Sequence, residues 1–181
     1  NRTYGAYAGI SRCLDLSLAS LDKNEPVLSV VCYFSSNSIT VFLFGHGQMT
    51  PTLMDVFMLT DLNVSKTYPW SFKISPSHKL AIKDAIWKRF IETHCRSGLV
   101  TDREHSAFLM MWLEYFVFGG SPIGPSNSFQ HLTEYLSSGN KIPLGKYLLG
   151  ATYSMIDQVS ALMIKDEPIG NLHGPWWFLQ L

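Results

Sequence analysis

His94 and Cys95 stand side by side with His105 ten residues on, the densest grouping in the chain of side chains able to ligate a metal or form a nucleophile–base pair. Their setting favours a structural role. His94 and Cys95 close one amphipathic segment, where an imidazole suits the negative end of a helix, and His105 falls in the first turn of the next, where it can cap or pack. Cys13, Cys32 and Cys95 are odd in number, widely spaced and without a CxxC pair, so reduced thiols are expected, with no zinc site and no disulfide framework. Gly119-Gly120-Ser121-Pro122-Ile123 misses the second glycine of a GxSxG nucleophile elbow. Gly45-His46-Gly47 begins like a dinucleotide fingerprint but carries Thr50 at the third glycine position, which reads as a hairpin turn. No GxxxxGK[ST], HExxH or DxDxDG run occurs. These residues predict no catalytic group, no metal and no cofactor.

Lys79, Lys83, Lys88 and Arg89 are the candidate nucleic-acid-binding residues. At helical spacing Lys79 and Lys83 share one side while Lys88 lies almost opposite, and Asp84, Lys88 and Glu92 form a ladder of alternating sign typical of a solvated face. The whole chain adds no attraction for polyanions, because 14 Lys+Arg balance 14 Asp+Glu. Hydrophobic residues make up 46% and charged residues 15% of the 181 positions, a balance that predicts apolar surface covered by a partner or by further chain.

The element predicted to organise the chain spans residues 101–120. Thr101 followed by Glu104 has the spacing of a capping box, only Glu114 is charged between Ala107 and Phe118, and Gly119-Gly120 ends the run. Such a segment predicts an enclosed central helix over about 102–118, with Trp112 and Phe116 both deeply buried and Glu114 either reaching an edge or paired with a base or backbone donor. This twelve-residue run, apolar but for Glu114, falls well short of a membrane span. Helices are also predicted over 4–21, with Ile10, Leu14, Leu18 and Leu21 on one face; over 77–95, with Ile82, Ala85, Ile86 and Phe90 inward; around 129–136; and over 144–164, while 24–34, with Asn24 as N-cap and Pro26 in the first turn, reads as a helix, its β-branched and aromatic residues leaving a strand as the alternative. Trp87, Trp112 and Tyr115 read as core aromatics. A small β-hairpin is expected near 38–50, followed by a helix with Thr50 as N-cap and Pro51 at its first position, whose Leu53, Val56, Phe57 and Thr60 share one face. The fold class is therefore mainly α, one compact domain over 1–181, expected to continue beyond Leu181 because the chain stops within WWFLQL.

Three blocks in register resemble the plant mobile domain family. In SITVFLFGHGQMTPTLMDVFMLTDLNV the matching positions include Phe42, Phe44, Gly47, Met49, Thr50, Thr52, Leu53, Asp55, Val56, Leu59 and Leu62. HSAFLMMWLEYFVFGG, containing Trp112 and Phe116, resembles the family's central apolar helix, and GPWWFLQL, with Gly174, Pro175 and Trp177, its C-terminal block. The match runs over about 27–181. Gln48 stands where the family carries Glu, and Asp61 where it carries Gly, so a different helix exit is expected. The resemblance implies a nuclear plant protein, from a host gene or a transposable element, concerned with transposon silencing, gene expression and meristem maintenance. It implies a non-catalytic factor working with a phosphatase-like protein partner; the aminotransferase-like label sometimes given to the family finds no phosphate cup or Schiff-base lysine here. A DNA-binding module of a mobile-element protein is the alternative, with an enzyme third.

Overall fold

Asn24 accepts a hydrogen bond from the N–H of Val27 at 3.2 Å and Pro26 occupies the first turn, so the second segment starts as a capped helix, as its sequence predicts. The computed structural model describes residues 10–19, 24–36, 41–65, 80, 86–94, 98–120, 123–167 and 173–181. In chain order the elements are α1 (Ser11–Leu18), α2 (Glu25–Tyr33), β1 (Ser35–Ser36), β2 (Val41–Phe44), β3 (Gly47–Met49), α3 (Leu53–Thr60), α4 (Trp87–His94) and α5 (Asp102–Met111). A π-helical segment (Trp112–Val117), α6 (Gln130–Ser137), α7 (Leu144–Ile164) and a short 3-10 helix (Trp176–Gln180) complete them. The class is mainly α with one small antiparallel sheet, the architecture expected from the sequence. Among the described residues no helix is long and apolar enough to cross a membrane.

The sheet has the order β1-β2-β3, with Phe42 opposite Met49 and Phe44 opposite Gly47 across the hairpin. Strand β1, where Ser35 pairs with Phe42, has no counterpart in the sequence reading, because two serines carry no alternation to detect.

Contacts divide the chain into two units, Asn1–Val64 with Leu144–Leu181, and Ser65–Pro143. In the first, α7 is the longest element and packs against α2 and α3. Its Met155 and Ile156 meet Phe42 of β2, with Val31, Phe44, Trp176 and Leu179 around them. In α1 the buried residue is Cys13, whereas Leu18, on the apolar face that the spacing predicts, is 86% exposed at the helix end. In the second unit α5 packs against α4 and α6, and Leu80, Trp87, Phe90, Ala107 and Met110 form a buried cluster.

The segment predicted to be enclosed all round has one open side. Ala107, Leu109, Met110, Trp112, Leu113, Glu114 and Val117 are buried, but Phe108, Tyr115 and Phe116 are exposed. Two corrections follow, since Phe116 was expected in the core beside Trp112, and Tyr115 among the core aromatics. The physical reason is the winding. From Trp112 the turns widen, with Phe118 N–H donating to the Leu113 carbonyl five residues back at 2.9 Å, so that each hydrogen-bonded loop is one residue longer than in an α-helix. Val117 thereby takes the inward place that Phe116 would occupy in an α-helix. Tyr115 still touches Trp87 edge-on, with ring centroids 6.1 Å apart.

Candidate functional site

The hairpin-to-helix junction at residues 47–62 holds most of the positions quoted for the first block of the resemblance. Gly47 opens β3 at φ 140°, and Met49 is exposed. Thr50, predicted as the N-cap, is not one: its hydroxyl bonds the phenol of Tyr153, which also donates to the carbonyl of Pro51 at 2.5 Å. The cap is Thr52. Its Oγ1 accepts from the N–H of Asp55 at 3.3 Å, while Asp55 Oδ2 accepts from both the N–H and the hydroxyl of Thr52, each at 2.7 Å. Pro51 thus lies before the helix, and the Thr-x-x-Asp spacing at 52–55, visible in the sequence, was the stronger signal. The Thr52 side-chain and backbone hydrogen bonds hold the Asp55 carboxyl below its ordinary value.

The far end of α3 also differs from expectation. Asp61 takes the left-handed conformation, φ 58°, and its N–H donates to the Phe57 carbonyl at 2.8 Å. Aspartate tolerates this region better than most side chains, so the exit keeps the geometry that glycine would supply. Leu62 then tucks in fully buried, as predicted. Along the helix Val56 and Thr60 are buried, whereas Met54, Phe57 and Met58 are 66%, 44% and 61% exposed. Phe57 had been placed with Val56 on the inward side; it turns instead toward the two methionines, three and one residues away, and these form an apolar face open to solvent.

The C-terminal block of the resemblance, residues 174–181, lies against α7. Gly174 has φ 155°, and a Cβ there would come within 2.7 Å of the Met155 Cγ, so the backbone passes directly over α7. Pro175 is buried, and half-buried Trp177 meets Phe178 edge-on at 6.0 Å.

In the second unit, Glu114 is 2% exposed and its two oxygens accept from the Ser126 N–H at 2.8 and 3.0 Å. This is the backbone donor that its apolar setting requires. Burial raises its carboxyl above the ordinary range, with the Ser126 bonds opposing. The next loop is thereby tied to the π-helical segment, a link between residues 12 apart that no sequence pattern announces.

Of the candidate nucleic-acid residues, Lys88 and Arg89 are exposed on α4 beside Glu92, while Lys79 and Lys83 lie outside the described residues. Phe90 is buried as predicted, Ile86 is 49% exposed, and Ile82 and Ala85 lie outside the described residues. His94 is buried with its ring 4.6 Å from that of Phe90, and Cys95 lies outside the described residues. Burial holds His105 below the ordinary histidine value against the opposing charge of Asp102. Cys13 and Cys32 are buried, reduced thiols, and burial pushes that of Cys13 up to about 12. Among the described residues no group of three or more His, Cys, Asp or Glu side chains is arranged to hold a metal ion.

No known protein family, no curated protein and no solved structure matches this chain.

Proposed function

We propose that this chain is a non-catalytic protein-interaction domain of the plant mobile domain type, working in the nucleus in transposable-element silencing, control of gene expression and meristem maintenance. The observation that supports the interaction reading is the apolar face of α3, where Met54, Phe57 and Met58 meet water together next to a fully buried Val56. Grouped apolar side chains at a surface gain free energy when a partner covers them, unlike apolar residues scattered singly. The nuclear and silencing parts of the proposal, and the phosphatase-like partner, rest on the three-block resemblance alone. Pull-down from plant nuclear extract with the intact chain, followed by identification of the bound proteins, tests it. The expected result is a stable, identified partner; recovery of none refutes the reading.

A DNA-binding role is the second reading, favoured by the adjacent exposed bases Lys88 and Arg89. Glu92, one turn after Lys88, weakens the field they make. A salt-dependent shift of duplex DNA that disappears on charge reversal at Lys79, Lys83, Lys88 and Arg89 would favour it over the interaction domain.

A further inference from the structure

We infer that the exposed face of α3 receives a basic amphipathic helix, an assignment of partner chemistry that rests on the interaction reading above. Met54, Phe57 and Met58 are spaced i, i+3, i+4, which gathers them along one side of the helix, opposite the buried Val56. A stripe at that spacing matches the apolar stripe of a second helix laid against it. Two of the three are methionines, whose unbranched thioether chains repack around differently shaped anchors.

The charges carried by α3 and its cap are of one sign. Asp55 lies beside Met54 and Asp61 caps the helix end, both exposed. Residues 24–65 include the acids Glu25, Asp55 and Asp61 and neither lysine nor arginine. Helices α1 and α7, which pack against α3, bring two bases and two acids, Arg12, Lys146, Asp15 and Asp157, and so add no net charge. The hydrogen bonds from Thr52 favour the charged form of Asp55, which keeps that carboxylate beside the stripe ionised. Apolar anchors flanked by Lys or Arg are therefore attracted, and acidic ones repelled. A second copy of this chain is a poor occupant by the same reasoning, because its own α3 would set acid against acid.

The intact chain should be titrated with a synthetic amphipathic helical peptide bearing leucines at i, i+3, i+4, i+7 and lysines elsewhere, and with a twin carrying glutamates in place of the lysines. Binding is read by fluorescence anisotropy and by the methyl resonances of Met54 and Met58. The expected result is that the basic peptide binds, shifts both methyls and loses about tenfold in affinity on Met58→Lys, roughly the factor that 1.4 kcal/mol represents. Asp61→Asn, which still tolerates the left-handed backbone, should weaken binding and flatten its salt dependence. Met54→Lys is the second variant should Met58→Lys disturb the fold by far-UV circular dichroism. Equal affinity for the acidic twin, or basic-peptide binding indifferent to both lysine variants, overturns the inference. A nuclear partner that still binds Met58→Lys and Met54→Lys also overturns it while leaving the interaction function standing. Binding of the basic peptide as described, by a chain that recovers no nuclear partner, upholds the chemistry of this face and refutes the nuclear role.

Discussion

Replacing Trp112 and Phe116 one at a time by alanine separates the π-helical winding from an α-helical one. The two aromatics lie four residues apart, and an α-helix would carry both inward. In the structure Trp112 is 2% exposed and Phe116 39% exposed. Truncating a fully buried tryptophan removes its transfer energy and leaves a cavity, a loss of about 3–5 kcal/mol. For Phe116 the cavity term vanishes because water fills the vacated space. Fully burying such a side chain is worth about 1.5–3 kcal/mol, and scaling by the roughly three-fifths of Phe116 that is covered gives about 1–2 kcal/mol. Urea unfolding followed by far-UV circular dichroism measures both, since fluorescence would change with the removal of an indole. The expected midpoints rank wild type, then Phe116→Ala, then Trp112→Ala. With a total stability of about 5–15 kcal/mol typical for a folded domain, the tryptophan variant sits near the edge of folding. Equal losses for the two variants would refute the widened winding and restore an enclosed α-helix.

Thr52→Ala should cost about 1 kcal/mol by removing the N-cap and half of the capping box, and Thr50→Ala less, because Thr50 gives up only its hydroxyl bond to Tyr153; melting temperatures of the two variants test the order. Gly145→Ala should cost about 1–3 kcal/mol, since its Cβ would lie 2.6 Å from Val64 Cγ1 and 3.1 Å from Val56 Cγ1, and an unchanged urea midpoint would show that the helix start can shift at no cost. Glu114 has a raised folded pKa, so its contribution is fully present below the unfolded value, near 4.5, and is lost as pH rises through the folded one. The stability of wild type relative to Glu114→Gln should therefore rise on acidification across that window, as read from paired urea curves; a pH-independent difference would contradict the shift.

The long elements were legible because their sequences repeat the same instruction many times. Residues 144–164 place Leu148, Met155 and Val159 at helical spacing, and α7 has the bounds that spacing predicts. Short elements set by a single interaction were harder. Pro51 suggested a helix starting one residue after Thr50, but Thr52 and Asp55 satisfy each other across the first turn, and two mutual bonds outweigh one favourable φ. Phe57 was misplaced because the buried stripe of α3 is narrower than the face its spacing defines. Only Val56 and Thr60 of the expected face are fully buried, and the methionine side opens to water. At Phe116 the period itself changed, and no side chain in the sequence reports a π turn.

The two carboxylates of interest show why the candidate site could not be ranked from residue type alone. Asp55 and Glu114 each sit in a helical turn and each accept a backbone N–H, yet their acidities move in opposite directions. Asp55 is exposed, so the two Thr52 donors add to hydration that it keeps, and the charged form is favoured. Glu114 has exchanged most of its water for the backbone and side-chain hydrogen bonds of Ser126, and these do not offset the desolvation. The aspartate therefore remains a dependable negative charge at the surface beside Met54 and Met58, where it can select the sign of an approaching partner. The glutamate is occupied in holding a loop to its own helix and presents no charge to solvent. Neither distinction follows from the identity of the side chain; both follow from what the chain packs around it, which makes α3 the surface on which to test binding and the π-helical segment the place to test stability.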